Sequence, residues 1–345
     1  MNDQSSQPRR LNILITGAAI VIIIMGIIQA QSVLVLLLIS VFLAVLGTPP
    51  VAWLKGKRIP NALAVLIVLA AMIAALLLAG ALVGASLSSF SASLPAYQSR
   101  LQEQTLAFKE FLASKGITIT DKILIDHLNP SAVMSFTAGL LSGLSSALSG
   151  IVLILLTVLF ILLEVSTFPG KLKVSPGDPE QFMPRFTKFM EDIQRYVLIK
   201  TMISLTTGIL VGIWMTILGV EFPILWAFLA FLLNYVPNLG VIIAAIPAAL
   251  FALIQAGPVH AGLVAGGYLI FNFIIGTAIE PRIVGRGVGL STLVVFLSLI
   301  FWGNMLGLIG AVLCVPITMT LKFVLENNEE TRWMGVWLGP EAPKI

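Results

Sequence analysis

The sequence predicts an all-α polytopic integral membrane protein with two broken or re-entrant helical hairpins arranged as an inverted repeat. Composition is the first ground: of 345 residues, 58% are hydrophobic and 10% charged, against about 25% charged in an ordinary soluble domain. Segment length is the second, because apolar runs of about the 20 residues that cross a bilayer take up most of the chain. Interruption is the third. Two of the runs are too long for one helix and are broken midway by Asn, Gly or Pro.

The apolar runs fall at 11–28, 32–48, 61–87, 148–165, 197–218, 223–256, 259–279 and 290–325. Arg9 and Arg10 before the first run imitate a secretory or twin-arginine signal. That run exceeds the usual signal core of about 7 to 15 residues, and similar runs follow it, so it reads as a retained span. Basic residues then orient the set. Arg9 and Arg10, Lys55 to Arg58, six residues from Lys171 to Lys200, Arg282 with Arg286, and Lys322 onward all fall on one side. With that side as the cytoplasm, all but four of the 20 Lys and Arg lie inside, together with both termini. The pI of about 9.3 therefore reflects orientation in a membrane, and no basic stripe remains for nucleic acid.

Five regions follow in order. Residues 1–87 carry the N-terminal scaffold spans. Residues 88–147 form an extracytoplasmic amphipathic helical region, where Leu94, Tyr97, Leu101, Phe108, Phe111 and Leu112 recur near helical spacing before a stop at Gly116. It packs on the membrane surface or a neighbouring subunit, or else forms a substrate vestibule or a partner contact. Residues 148–196 hold a span and a cytoplasmic loop. In that loop Pro176, Pro179 and Pro184 mark irregular chain ahead of an amphipathic, interface-anchored stretch from Phe186. Residues 197–325 contain both hairpins, and 326–345 make a cytoplasmic tail.

The hairpins carry the functional reading. NYVPNLGVIIAAIP, residues 234–247, divides the run 223–256 into arms that rise only about 18 to 24 Å at 1.5 Å per residue, short of the ~30 Å hydrocarbon core. The run 290–325 is alike: an arm to Phe301, a tip WGNMLGLIG, and a second arm from Ala311. Each hairpin follows a full span, 197–218 or 259–279, and the charge rule runs those spans in opposite directions. A span plus a broken hairpin, repeated and inverted, points to a secondary transporter and its binding site. Irregular backbone at membrane depth persists only where protein or a water-filled cavity satisfies it. The competing reading is a tight interfacial turn in which Asn-Leu-Gly has no function.

At the tips, Asn234, Asn238 and Asn304, with backbone groups freed by Pro237 and Gly240, are the candidates to hydrogen-bond the hydroxyls of a neutral, polyol-like substrate. Asn272 and Thr277 on the span between the hairpins are further candidates. Glu280, with Arg282 and Arg286, stands where that span meets a glycine-rich loop. It is either a coupling carboxylate or half of a structural ion pair. Glu164 ends a span and reads as interfacial.

The run NYVPNLGVIIAAIP, then IEPRIVGRGVGLSTLVVFLSLIFWG and GAVLCVPIT, with LLTVLFILLE before the cytoplasmic loop, resembles the autoinducer-2 exporter family of bacterial membrane proteins over about residues 11–326. The resemblance implies export of the quorum-sensing signal autoinducer-2, a small oxygen-rich molecule derived from dihydroxypentanedione, across the bacterial inner membrane. It also implies a homo-oligomeric, pentameric assembly. Some family members are assigned sodium or lithium/proton antiport, which here would use Glu280 as the exchanging carboxylate. A non-transporting structural or channel-like oligomer is a third reading. The family often has two prolines where this chain has Pro247-Ala248.

Other chemistry finds no footing, and no enzyme, cofactor or metal is expected. The lone Cys314 has no disulfide partner. His127 and His260 lack carboxylate or cysteine companions at metal-ligand spacing and read as surface residues. No Walker A motif occurs. Gly285 to Gly289 follows no strand, and GLSTL lacks the strand-to-helix setting of a serine nucleophile. The expected partners are a small polar signal molecule, membrane lipid and further copies of the chain.

Overall fold

The computed structural model describes residues 7–114, 139, 150–165, 179–237, 239–284 and 289–340, and every regular element among them is helical. In chain order these are α1 (Gln7–Gln29), α2 (Gln31–Gly56), α3 (Asn61–Ser114), α4 (Ile151–Val165), α5 (Pro179–Ile217), α6 (Pro223–Leu233), α7 (Gly240–Ala256) and α8 (Pro258–Phe271). A π-helical segment, Asn272–Ile279, continues α8 into α9 (Glu280–Val284), and α10 (Thr292–Glu326) and α11 (Arg332–Trp337) follow. Among the described residues five stretches are long and apolar enough to cross a membrane: α2, α3 over Asn61–Ser93, α5 from Phe182, α8 with its π-helical continuation, and α10.

Local chemistry explains the sharp reversals. Between α5 and α6 the chain turns through Gly219 and Phe222, both left-handed, and Pro223 opens α6. Proline fits the first helical turn because its missing N–H would be unpaired there anyway. Between α7 and α8 the reversal needs one residue, Gly257 at φ 86°, again followed by a proline at the helix start. Only glycine adopts that conformation without strain. Gln255 at the end of α7 clamps the α5–α6 turn: its amide donates to the Gly219 carbonyl at 3.0 Å and accepts from the Glu221 N–H at 2.9 Å. From α3, Tyr97 donates to the Glu221 carboxylate at 2.5 Å.

Three apolar cores organise the molecule. The first joins α2, α3 and α4 through Ala44, Val65, Val68, Val158 and Leu162. Gly47 on α2 lets Leu162 of α4 come close, since an added Cβ would lie 3.3 Å from it. The second surrounds Trp226, Leu229, Phe251 and Tyr268 and ties α5 to α8 with Phe90 and Tyr97 of α3. The third packs Tyr235 and Val236 with Leu313, Cys314 and Val315 of α10 and Val197 of α5. Outside these cores Leu66, Leu77, Leu78, Val152, Phe160 and Phe273 are all exposed. An apolar exterior of this kind suits lipid rather than water.

The observed elements differ from the sequence reading in three places. Residues 88–114 are no separate element: α3 runs unbroken from Asn61 to Ser114, since nothing between Gly84 and Tyr97 stops a helix except the tolerated Pro95. Helix α5 begins at Pro179, so Pro179 and Pro184 lie within it instead of marking irregular chain. Pro179 sits at the first position, where it costs no hydrogen bond, and Pro184 forfeits one. In the second long run the interruption shrinks from nine residues to one. Helical geometry persists through Trp302 and Asn304 and breaks only at Gly307, at φ 66° and ψ −149°. Asn238, Arg286 and His127 lie outside the described residues.

Candidate functional site

The site is built on α5. Along its membrane stretch Lys200, Ser204 and Thr207 recur at helical spacing and are all buried, with 3% of Lys200 exposed, while the exposed Thr206 and Thr216 hydroxyls donate to carbonyls one turn back in the same helix. A polar stripe facing inward on a membrane helix must find partners in protein. Two other parts of the chain supply them for Lys200 and Ser204, while the Thr207 hydroxyl donates to the Ile203 carbonyl one turn back.

The first is the tip between α6 and α7. Helix α6 ends at Leu233 and the backbone leaves the helix over 234–237, with the Val236 N–H on the Leu233 carbonyl at 2.8 Å and the Gly240 N–H on the Val236 carbonyl at 3.2 Å. Pro237 cannot donate, which keeps the helix from continuing. Gly240 is required by proximity: a Cβ there would stand 1.7 Å from the Leu233 carbonyl oxygen. This turn delivers Asn234, buried, to Ser204, with its amide donating to the Ser204 hydroxyl at 3.0 Å. It also delivers Tyr235, whose hydroxyl donates to Thr201 at 2.8 Å.

The second partner arrives through the π-helical segment. Wider turns of the i→i+5 type shift every following side chain around the axis. Asn272 opens the segment, half-buried, and its side chain folds over Gly276, where a Cβ would come 3.1 Å from its Oδ1. Thr277 faces outward and is exposed. Glu280 closes the segment and lies 2.5 Å from the Lys200 ammonium, with 23% of its side chain exposed. The carboxylate's partner is thus a residue 80 positions away. Arg282 is exposed.

A separate set of polar contacts lies within α10, which folds back at Gly307. Ser298 on the first arm lies 2.7 Å from Thr318 on the second, and the Trp302 indole donates to the same Thr318 oxygen at 3.1 Å. Thr318 itself donates to the Cys314 carbonyl. An added Cβ at Gly310 would meet the Trp302 carbonyl at 2.0 Å, so the arms touch backbone to backbone just past the break. Gly307 faces Gln31 at the start of α2, and Asn304 is exposed one turn earlier. No hydrogen bond joins Asn304 to Asn234 among the described residues.

The result is a seam of paired polar groups inside an apolar molecule: a carboxylate with an ammonium, an amide with a hydroxyl, and a phenol with a hydroxyl. Two buried polar atoms on α8, the His260 Nδ1 and the Tyr268 hydroxyl, are unmatched among the described residues. The Tyr268 hydroxyl, on a residue 1% exposed, has no hydrogen-bond partner among the described residues. Such a group costs free energy unless something pairs with it. His260 is half-buried at the start of α8, and no cluster of metal-ligating side chains occurs among the described residues. Sequence reasoning singled out Asn234 and Glu280 but missed Lys200, Ser204, Thr201 and Tyr268. The spacing of Lys200, Ser204 and Thr207 in an otherwise apolar run was the available signal.

A chain whose regular elements among the described residues are all helical, with five membrane-length apolar stretches among them, broken helices and a seam of paired buried polar groups, has the build of a membrane transporter. Comparison with known proteins agrees: residues 18–330 match the family described as AI-2E family transporter, and the chain belongs to that family. It is 40% identical over 328 residues to the AI-2 transport protein TqsA of Escherichia coli strain K12, with 95% of each chain covered. It is also 33% identical over 343 residues to the putative transport protein YhhT of the same organism, covering 99% of this chain and 98% of that one. A putative transport protein of Haemophilus influenzae is 34% identical over 328 residues, 93% of this chain and 94% of its own.

Proposed function

We propose that this chain is a secondary transporter that exports autoinducer-2, or a similar small neutral polar molecule, across a bacterial inner membrane. The observation that carries the reading is the buried polar face of α5, engaged by the broken tip through Asn234 and Tyr235 and by Glu280 at the end of the π-helical segment. Paired amide, hydroxyl and charged groups at this depth are what a path for an oxygen-rich solute needs, and lipid alone gives no reason to keep them. Likeness to the AI-2 transport protein TqsA supports the substrate class.

In this reading α6–α7 and the two arms of α10 are re-entrant hairpins in an inverted repeat, with Asn234, Pro237, Asn238 and Gly240 at one tip and Asn304 near the other. Both termini face the cytoplasm and the assembled transporter is a homo-oligomer, a pentamer. The core shared by α2, α3 and α4 supports a scaffold against which residues 197–325 move as a transport unit. A second reading rests on Glu280 itself. A carboxylate paired with a buried lysine could release that lysine to take up sodium or lithium, giving cation/proton antiport.

Everted vesicles containing the purified protein separate the two. Export predicts saturable accumulation of autoinducer-2 that is lost on disturbing the Asn234–Ser204 contact. Cation-dependent collapse of a pH gradient without such accumulation would replace export by antiport.

A further inference from the structure

Beyond the transport path, the ends of three helices enclose a separate cleft of about 860 Å³. Its walls are the first turns of α5, the last turns of α10 and helix α11. Arg185, Lys188, Lys322 and Arg332 line it, opposed by Asp192 and Glu326. Two of these charges are already engaged. Lys322 donates to the Gly289 carbonyl and lies 3.5 Å from Glu326, so that acid is matched within its own helix. Arg185, Lys188 and Arg332 are exposed and have no carboxylate partner among the described residues. Four cationic groups against two acidic ones leave the cleft positive.

The cleft is also built firmly. Phe189 and Phe323 stack at 4.2 Å on its floor, and Gly335 of α11 packs so closely on Glu326 that a Cβ would lie 2.4 Å from the Glu326 Cγ. The Ser291 N–H donates to the Leu338 carbonyl at 3.0 Å, which pins the segment after α11 to the start of α10. Trp333 and Trp337 project from α11, 55% and 77% exposed, and the cleft opens where the apolar length of α10 gives way to charge. Tryptophan with neighbouring Lys and Arg is the pattern of the headgroup layer.

We propose that this cleft binds a phosphate-bearing anion, held by Arg185, Lys188 and Arg332. Guanidinium groups suit phosphate because their forked N–H donors meet two of its oxygens at once. Basic pockets between helices at a membrane surface take anionic lipid headgroups by the same chemistry. The site stands independently of the transported substrate and of Glu280.

The test uses the full chain in neutral detergent micelles doped with dioleoylphosphatidylglycerol, or with dioleoylphosphatidylcholine as the zwitterionic comparison, whose phosphate is balanced by its own ammonium and which carries no net negative charge. Lipid retained on the protein is counted by native mass spectrometry. Phosphatidylglycerol should be retained in preference to phosphatidylcholine. Lys188→Gln and Arg332→Gln should each weaken retention about fivefold, the worth of one basic side chain beside an anionic headgroup. Arg195→Gln removes the same charge from an exposed position on α5 outside the cleft and should leave retention unchanged. Inorganic phosphate forms the second arm. If it displaces the lipid, the phosphate group alone suffices; if lipid stays bound against it, the headgroup and its chains are needed. Equal retention of the two lipids with no response to phosphate overturns the proposal, and so does a loss in Arg195→Gln equal to that in Arg332→Gln. Circular dichroism and gel filtration on each variant keep a folding defect from passing as either result.

Discussion

Removing one partner of the Lys200–Glu280 pair should destabilise the protein far more than removing both. Lys200 is 3% exposed and its ammonium lies 2.5 Å from the carboxylate, whereas 23% of the Glu280 side chain reaches solvent. Glu280→Gln preserves shape but leaves a buried ammonium with no counter-charge, a loss of about 3 to 5 kcal/mol by analogy with other broken buried pairs. Lys200→Met strands a carboxylate that is partly hydrated, so its cost is smaller, on the order of 1.5 to 3 kcal/mol, comparable with one hydrogen bond to a charged group. The double variant has neither stranded charge, and its stability should approach that of the parent, because a well-packed apolar replacement of a buried pair is often neutral or better. Reversible denaturation in mixed micelles, followed by tryptophan fluorescence, gives all four corners of the cycle. Single losses that add to within about 0.5 kcal/mol in the double variant would mean that the two groups do not interact, and the pairing would be refuted. The exchanged pair, Lys200→Glu with Glu280→Lys, should recover more stability than an exchange of Glu280 with Arg282, whose side chain is exposed.

Gly307→Ala should cost about 1 to 3 kcal/mol although no atom blocks the methyl group, since φ 66° with ψ −149° is a conformation nearly confined to glycine; unchanged stability would show that the break can relax. Gly240→Ala should do more damage, because the new carbon would overlap the Leu233 carbonyl, and the protein should lose the Asn234–Ser204 contact and its transport together. Tyr268→Phe removes a buried hydroxyl without a protein partner, so thermal stability should hold or rise while substrate accumulation in vesicles falls; normal accumulation would exclude this hydroxyl from the path. Tyr97, beyond the Asn61–Ser93 span, is neutral in the fold, and burial first, then its hydrogen bond to Glu221, push its pKa up from 10 to about 12. Its contribution is therefore complete below pH 10 and is lost as pH rises through 12, and Tyr97→Phe should flatten the alkaline fall in stability over that window.

Length, composition and interruption in the sequence determined the helical membrane class, the places where helices break, and the candidate status of Asn234 and Glu280. These are local matters. Twenty apolar residues form a helix in lipid because every backbone group must be satisfied within the segment, and Pro237 with Gly240 prevents continuation whatever surrounds them. The narrowing of the second break to Gly307 was less legible, since Gly303, Gly307 and Gly310 are equivalent in sequence, and only packing decides which one takes the strained conformation while Gly310 meets Trp302. Pairing lay further out of reach. Glu280 has two arginines within six residues, yet the partner that the π-helical turn and the crossing of α5 bring to it is Lys200, 80 positions away. Which charge meets which depends on the rotation and crossing of helices far apart in the chain, and those are fixed by the summed packing of three cores.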